Sequence, residues 1–138
     1  IGDVDQGVAQ DIDLALSEVR ARAISIELSG VGYFGKGAKA RILWVGVTPC
    51  DELNHLHTKV DAALAPMGVL TGSRRFSPHV TIARLKRPDP ARLDAFVGAH
   101  AGFRSGPIPV DNFVLYSSFL SQSGAIYTPE VTYSLSNA

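Results

Sequence analysis

Residues 74–87 read RRFSPHVTIARLKR, and this stretch decides the fold of the region around it. Polar and apolar side chains alternate from His79 to Ile82, which predicts a β-strand. Side chains two apart in a strand project from the same face, so His79 and Thr81 point together, about 6 to 7 Å apart. An imidazole carries a proton near neutral pH, and a hydroxyl beside it can donate to a phosphoryl oxygen. The pair is therefore a candidate chemical site.

The neighbours of this pair follow from the same alternation. In a regular strand Ala83 shares the His79 face and leaves room for a ligand, whereas Val80 and Ile82 point into a core. Arg84 has the wrong parity for that face, so a role in phosphate binding requires a bulge or the end of the strand. A lone His-x-Thr is a weak signal, and polar strand residues without chemistry are the plain alternative.

Composition describes one folded domain. The chain has 138 residues, of which 46% are hydrophobic and 19% are charged. No apolar run approaches the roughly 20 residues of a membrane span, and no signal-peptide pattern opens the chain. A single cysteine, Cys50, excludes a disulfide framework and a multi-cysteine metal site. We therefore expect a cytoplasmic protein.

The charge distribution is uneven although the formal net charge is zero. Residues 1–19 carry five acidic and no basic side chains, whereas residues 74–92 carry six basic side chains against Asp89. A balanced total argues against a general nucleic-acid coat protein. Local positive charge beside a histidine suits an anionic substrate, and a solvated sheet rim is the alternative.

Helical and strand patterns interleave along the chain. Apolar residues at helical spacing predict helices over 5–21 and 51–68 and a third helix begun near Pro90. The strand signals occupy residues 23–30, 40–48, 79–85, 110–120 and 131–135, and Gly124 and Pro129 mark the turn before the last strand. The pattern predicts an α+β fold with mainly antiparallel sheets.

The glycine-rich segment GVGYFGKG at residues 30–37 imitates two phosphate-binding motifs. Both motifs need a helix directly after the glycines, and here a predicted strand follows. The P-loop also needs Ser or Thr after the lysine, where this chain has Gly37. We expect a flexible loop between strands, with Tyr33 and Phe34 at its tip.

The other histidines do not form a metal site by sequence. His55 and His57 lie two apart on a predicted helix, about 200° around its axis, so they cannot share a metal ion. His100 lies at a helix end, where a positive ring suits the helix dipole. We expect all three to be structural or solvent-facing, and no zinc or calcium motif is present in the sequence.

Three segments together resemble a known family. FSPHVTIAR at residues 76–84 resembles the second signature of the 2H phosphoesterase superfamily, whose members carry two His-x-Thr-x motifs. KARILWVGV at 39–47 and VDNFVLYSSFLSQSGAIYTPE at 110–130 are similar to the central and C-terminal strands of its RNA 2',3'-cyclic phosphodiesterases, also called 2'-5' RNA ligases. The resemblance extends over nearly the whole chain.

This resemblance implies a fold and a reaction. It implies one 2H phosphoesterase-like domain over residues 1–138, two-lobed, with helices on the outer faces and a cleft between the lobes. Two histidines would act as general base on water and general acid on the leaving ribose oxygen, opening an RNA 2',3'-cyclic phosphate end to a 2'-phosphate. Neither a cofactor nor a metal is implied, and the ligase activity would be the reverse reaction on a 2'-5' linkage.

The resemblance also assigns residues. His79 and Thr81 match the second motif as catalytic residues, and Arg84 matches its trailing arginine as a substrate contact. Tyr127 and Phe34 are weaker matches to substrate-binding positions.

One departure concerns the first motif. The family's first His-x-Thr-x lies on an early strand that continues into a sequence like IGDVDQ, with which this chain begins. We therefore expect an N-terminally incomplete chain whose 138 residues alone are nearly inactive, whereas the full-length protein is the enzyme.

Two other functions stay open on the sequence. One is a non-catalytic module that binds RNA ends or nucleotides, and the other is a 2H enzyme acting on a small cyclic nucleotide. The sequence does not indicate the physiological RNA, which histidine is the acid, or the oligomeric state.

Overall fold

The computed structural model describes residues 1–69 and 75–136, so Arg74 of the basic stretch lies outside the described residues. The helices are α1 (Gln6–Ser17), α2 (Asp51–Leu64) and α3 (Pro90–Ala99), with short 3₁₀ turns at Gly37–Lys39 and Ala65–Met67. The strands are β1 (Ile24–Phe34), β2 (Ile42–Val47), β3 (His79–Arg84), β4 (Arg104–Val110), β5 (Asn112–Ser121) and β6 (Gly124–Ser134). In the described part of the chain, no helix is long and apolar enough to cross a bilayer.

The chain folds as two compact units. The hairpin unit comprises Ile1–Ile24, Asp51–Arg75 and Pro109–Ala138, and the sheet unit comprises Ser25–Cys50 and Phe76–Ile108. A two-stranded sheet pairs β5 with β6, and a four-stranded sheet has the order β3-β2-β1-β4. The pairs β1–β2, β2–β3 and β5–β6 are antiparallel, which confirms the predicted α+β class. The cleft between lobes stays a prediction.

The core of the hairpin unit forms where α1 packs against the β5–β6 hairpin. Asp5 caps α1 by accepting a hydrogen bond from the Val8 amide at 2.8 Å, so the helix begins one residue later than the apolar pattern predicts. Ile12 is 2% exposed and contacts a cluster that includes Leu64 and Tyr133. The apolar stripe of α1 is thus satisfied within this unit.

Tyr133 connects this core to α1 through its phenol. The hydroxyl donates to a carboxylate oxygen of Asp13 at 2.7 Å, and burial together with this bond raises the pKa of Tyr133 well above its ordinary value. A raised folded pKa stabilises the fold fully below the unfolded tyrosine pKa of about 10, and this stabilisation is lost as the pH rises above it. Above pH 10 the free energy of unfolding should therefore fall less steeply with pH in Tyr133→Phe than in the wild type, and the two slopes should differ by up to one proton. Urea unfolding at several pH values measures these slopes.

Tyr33 provides the comparison for that experiment. Its hydroxyl donates to Asp94 at 2.7 Å, and this bond raises the pKa of Tyr33 in the sheet unit. Tyr33→Phe removes a different tyrosine with the same kind of partner. An unchanged slope above pH 10 in Tyr133→Phe would contradict the role given to the phenol of Tyr133.

The core of the sheet unit lies under one face of its sheet, where α3 packs. Asp89 caps α3 by accepting hydrogen bonds from the amides of Ala91 and Arg92. Leu93 of α3 is buried against Leu43 and Ala40, with Ala83 and other partly buried apolar residues around them. The opposite face of the sheet is therefore available for a site.

The structure departs from the predicted strands in three places. Strand β1 continues through Gly30 and Gly32 to Phe34, where a loop was expected, because the glycines serve a register shift and a close ring contact within the sheet. Strand β4 was missed, since prolines weaken a strand signal. Pro129 lies within β6 beside a register shift, and the hairpin turns between Ser121 and Gly124.

Candidate active site

His79 and Thr81 lie on one face of the sheet unit, as the alternation predicts. In the β2–β3 pair His79 lies opposite Gly46 and Thr81 lies opposite Trp44. Residues directly opposite in an antiparallel pair project to the same side. The imidazole and the hydroxyl therefore share a face with the Trp44 indole.

A bulge in β3 changes the faces of the residues that follow. Leu43 lies opposite Ala83 and Trp44 lies opposite Thr81, so Ile82 is the extra residue of the strand. The expectation that Ala83 faces a ligand was wrong, because Ala83 packs against the core around Leu43.

The same bulge brings Arg84 to the face of His79. Arg84 lies opposite Ile42, which is two residues from Trp44 and hence on the same side of β2. The sequence required a bulge or a strand end for this arginine to bind phosphate, and the structure contains the bulge. His79, Thr81 and Arg84 thus line one face in this order along β3.

Val80 and Ile82 do not enter a core, contrary to the regular-strand expectation. Their exposed fractions are 44% and 48%. In the part of the chain that the structure describes, β3 is an edge strand of the four-stranded sheet and has a neighbouring strand on one side only. Burial at such an edge depends on what packs over it, which a period-two pattern does not report.

The His79 imidazole is oriented by two contacts. Its Nδ1 lies 2.7 Å from the carbonyl oxygen of Ser77, and a carbonyl only accepts, so Nδ1 carries the hydrogen. The ring of Phe34 meets the imidazole edge-on, with centroids 4.9 Å apart. Nε2 is therefore the nitrogen that can exchange a proton with a ligand.

Trp44 forms the floor beside this histidine, and sequence reasoning did not single it out. Its indole lies 5.5 Å from the Phe34 ring and 6.4 Å from the His79 ring, measured between centroids. Its Nε1 is buried without a hydrogen-bond partner among the described residues, so packing alone holds the ring. The sequence does contain a signal for this residue. Gly46 lies two residues after Trp44, on the same strand face, and its missing side chain leaves space beside the indole.

Gly32 makes room for the indole from the neighbouring strand. A Cβ at this position would lie 2.4 Å from Cη2 and Cζ2 of Trp44, which no real contact permits. We expect Gly32→Val to displace the indole and destabilise the fold by about 1 to 3 kcal/mol, the usual cost of overpacking. Urea unfolding followed by tryptophan fluorescence measures both effects.

Gly98 is the matched control for that substitution. It lies in α3 with nothing within 4 Å of a Cβ built on it, so Gly98→Ala should leave stability unchanged or raise it by up to about 1 kcal/mol. A Gly32→Val protein with native stability and native tryptophan emission would contradict the packing described for Trp44.

The other two predicted site residues, Phe34 and Tyr127, belong to different units of the chain. Phe34 is the last residue of β1 and is 38% exposed on the His79 side. Tyr127 lies in the hairpin unit opposite Ser118 of β5 and is 57% exposed. Whether Tyr127 acts with His79 stays a prediction.

The other histidines behave as expected. The Nε2 of His57 lies 3.5 Å from a carboxylate oxygen of Asp61 on the same helix. His100 caps the C-terminus of α3, and its ring contacts Phe96 at a tilt of 47° with centroids 4.4 Å apart. Across residues 1–69 and 75–136, no group of three or more metal-ligating side chains gathers at one point.

Comparison with known proteins identifies the family. The sequence model of the 2'-5' RNA ligase superfamily matches residues 2–118. The chain belongs to the 2'-5' RNA ligase superfamily. The RNA 2',3'-cyclic phosphodiesterase of Aeropyrum pernix is 35% identical over 130 residues, which make up 92% of this chain and 73% of that protein. The enzyme of the same name from Aquifex aeolicus is 31% identical over 132 residues, 93% of this chain and 70% of its own.

Solved structures agree on the fold of this superfamily member. Escherichia coli LigT in complex with 3'-AMP superposes with a TM-score of 0.74 at 23% identity, covering 98% of this chain and 72% of LigT. TT0787 of Thermus thermophilus superposes with a TM-score of 0.73 at 23% identity, covering 96% of this chain and 73% of that protein. The region matched by the 2'-5' RNA ligase superfamily includes His79, Thr81 and Arg84 and ends before Tyr127.

Proposed function

We propose that this chain is an RNA 2',3'-cyclic phosphodiesterase in which His79 transfers a proton and Thr81 and Arg84 hold the phosphoryl group. The observation that supports this function best is the shared face of the three side chains. An imidazole with one nitrogen tied to Ser77, a hydroxyl and a guanidinium lie on it in sequence along β3. These are the groups that a phosphodiester hydrolysis needs for proton transfer and for charge stabilisation.

The reaction needs two proton transfers. Water attacks phosphorus while a base takes its proton, the bond from phosphorus to the ribose 3'-oxygen breaks, and an acid protonates that oxygen. The product is a 2'-phosphate with a free 3'-hydroxyl. Thr81 Oγ1 and the Arg84 guanidinium donate to the non-bridging oxygens, on which charge develops.

His79 supplies one of these two transfers through Nε2. The Nδ1–H bond to Ser77 fixes the ring, so that Nε2 accepts a proton in the neutral ring and donates one in the charged ring. The 138 residues contain one His-x-Thr, at His79 and Thr81, whereas the resemblance implies two. One group must start deprotonated and the other protonated, so the rate should pass through a maximum with pH.

The direct test uses adenosine 2',3'-cyclic phosphate. Phosphorus NMR should show 2'-AMP as the product, with no 3'-AMP, after incubation with the protein as its organism makes it. The protein should also bind 2'-AMP with a chemical-shift change at the His79 ring, because Nε2 is the ring nitrogen that can contact the phosphate. Formation of 3'-AMP, or unchanged substrate, would contradict the proposed reaction.

A binding module without catalysis is the second candidate function. The single His-x-Thr of the sequence favours it. The two candidates differ in one variant, because His79→Ala abolishes turnover in an enzyme but only weakens nucleotide affinity in a binder.

A 2H enzyme specific for small cyclic nucleotides would hydrolyse adenosine 2',3'-cyclic phosphate or ADP-ribose cyclic phosphate but not an oligoribonucleotide end.

A further inference from the structure

The face of the sheet that carries His79 extends across β2 to β1. Gly46 of β2 lies opposite His79 of β3 and also opposite Ser29 of β1. Residues directly opposite in an antiparallel pair project to the same side, so these three residues form one cross-strand row. Since neighbouring strands lie about 4.8 Å apart, Ser29 stands about 10 Å from His79 along this row.

The middle of the row has no side chain, because the backbone of β1 occupies the space that one would need. A bulge shifts the register between Ser29 and Val31, and a Cβ on Gly46 would lie 2.7 Å from the carbonyl oxygen of Ser29. The same Cβ would lie 3.4 Å from Cζ3 of Trp44. The row is therefore an open strip bordered by the indole, with the imidazole at one end and Ser29 at the other.

Two hydroxyl groups meet at the Ser29 end of the strip. Thr48 lies two residues after Gly46 and hence on the same face, and its Oγ1 donates to Ser29 Oγ at 3.0 Å. In the part of the chain that the structure describes, the hydrogen of the Ser29 hydroxyl has no acceptor. Ser105 differs, since its hydroxyl accepts from the Leu28 amide and so holds the backbone. The Ser29 hydroxyl can therefore donate to a ligand.

Glu27 adds a carboxylate beside these hydroxyls. It lies two residues before Ser29 on β1, so its half-buried side chain projects to the same face. The Thr48 amide donates to the Glu27 carbonyl oxygen at 2.8 Å, which places the two residues opposite each other. Among the described residues the Glu27 carboxylate has neither a hydrogen bond nor an ion pair. A hydrogen-bond donor and an acceptor thus stand side by side at this end of the strip.

The length of the strip and the groups at its end match one nucleotide. A nucleotide spans a similar distance from its phosphorus atom to the far edge of its base. On that edge cytosine and adenine carry an amino group beside an unprotonated ring nitrogen, which is a donor beside an acceptor, whereas uracil has the carbonyl oxygen O4 in place of the amino group of cytosine. The donor and acceptor of the protein are complementary to the first arrangement.

We propose that Glu27 and Ser29 bind the Watson–Crick edge of the terminal nucleobase and favour bases that carry an amino group there. This rests on the proposed function and adds a base preference to it. With the phosphoryl group at His79, the ribose lies over Gly46. The carboxylate of Glu27 accepts from the amino group, and the Ser29 hydroxyl donates to the neighbouring ring nitrogen.

The test compares cytidine 2',3'-cyclic phosphate with uridine 2',3'-cyclic phosphate. The ratio of kcat/KM for cytidine to that for uridine is measured in the wild type, in Glu27→Gln, in Ser29→Ala and in Glu18→Gln, each in the protein as its organism makes it. Glu18 is an exposed residue at the end of α1 in the hairpin unit and is the matched control. Affinities for 2'-CMP, 2'-UMP and ribose 2-phosphate, from NMR titrations, give a readout that does not depend on turnover.

We expect the wild type to prefer cytidine about tenfold, because a carboxylate accepts from the amino group of cytosine and repels O4 of uracil. Glu27→Gln should remove the preference, since an amide both donates and accepts. Ser29→Ala should weaken 2'-CMP binding about 3- to 10-fold, the usual contribution of one hydrogen bond. Neither variant should change the affinity for ribose 2-phosphate, which has no base, and Glu18→Gln should behave as the wild type.

The outcomes separate the base preference from the proposed function. Wild-type protein that hydrolyses both nucleotides to 2'-phosphates without favouring cytidine would overturn the base preference and keep the proposed function. A loss of affinity for ribose 2-phosphate in Glu27→Gln as large as that for 2'-CMP would also overturn the base preference, since the base would not be the group affected. Protein that hydrolyses neither nucleotide would overturn the proposed function, and the ratio of affinities for 2'-CMP and 2'-UMP would still decide the base preference.

Discussion

His79→Ala should lower kcat for a 2',3'-cyclic phosphate by about 10² to 10⁴, because it removes one of two proton-transfer groups. The corresponding rise in the activation barrier is about 3 to 5 kcal/mol. The imidazole is exposed, and within residues 1–69 and 75–136 its hydrogen bond is the one from Nδ1 to the backbone carbonyl of Ser77, so the fold should tolerate its loss. The measurement is initial rates of 2'-phosphate formation in the protein as its organism makes it.

His55→Ala is the matched control for this variant. His55 is an exposed residue of α2, where alanine is a good helix former, so both the rate and the stability should stay at the wild-type level. If His79 had only a structural role, its replacement would leave the shape of the pH–rate profile unchanged. Loss of a proton-transfer group should instead remove one limb of that profile in His79→Ala. A His79→Ala enzyme with a wild-type rate would exclude this histidine from the chemistry.

Arg84→Ala should lower kcat/KM by about 10² to 10³, the usual cost of removing one donor that stabilises transition-state charge. Arg84→Lys should recover part of this loss, because lysine keeps the positive charge but not the forked pair of donors that matches two phosphoryl oxygens. The expected order of rates is wild type, then Arg84→Lys, then Arg84→Ala, measured on adenosine 2',3'-cyclic phosphate.

Arg104→Ala removes the same side chain from the opposite edge of the sheet and serves as the control. If Arg84 acted through general electrostatic attraction alone, both arginine variants would lose similar activity, and added salt would reduce the wild-type rate to theirs. Similar losses in the two variants would therefore contradict the placement of Arg84 on the His79 face.

Local patterns in the sequence determined the amphipathic helices of this protein and the shared face of His79 and Thr81. The periodicity around Ile12 and Leu93 specifies amphipathic helices, because an apolar stripe has to be buried whatever the rest of the chain does. The spacing of His79 and Thr81 puts them on one face, because side chains two apart in a strand point the same way. The resemblance carried by residues 76–84 led to the superfamily that the comparisons found.

Other features depend on contacts between strands that no local pattern reports. Gly30 and Gly32 suggested a loop, yet they lie in β1, since one accompanies a register shift and the other accommodates the Trp44 indole. Prolines obscured β4, because their effect depends on whether the missing amide faces a neighbour. The distribution of charge was visible, but its gathering into one unit required knowing which segments pack together.

The alternation of residues in β3 by itself determined that His79 and Thr81 share a face, and that Arg84 would join them only if the strand were irregular. Tertiary structure decided that it is. Pairing with β2 leaves Ile82 as an extra residue between Thr81, opposite Trp44, and Ala83, opposite Leu43, which turns Ala83 into the core and Arg84 towards the histidine. A register is a property of two strands together, so a single strand's sequence cannot specify it, and in this protein the register puts the arginine beside the candidate catalytic pair.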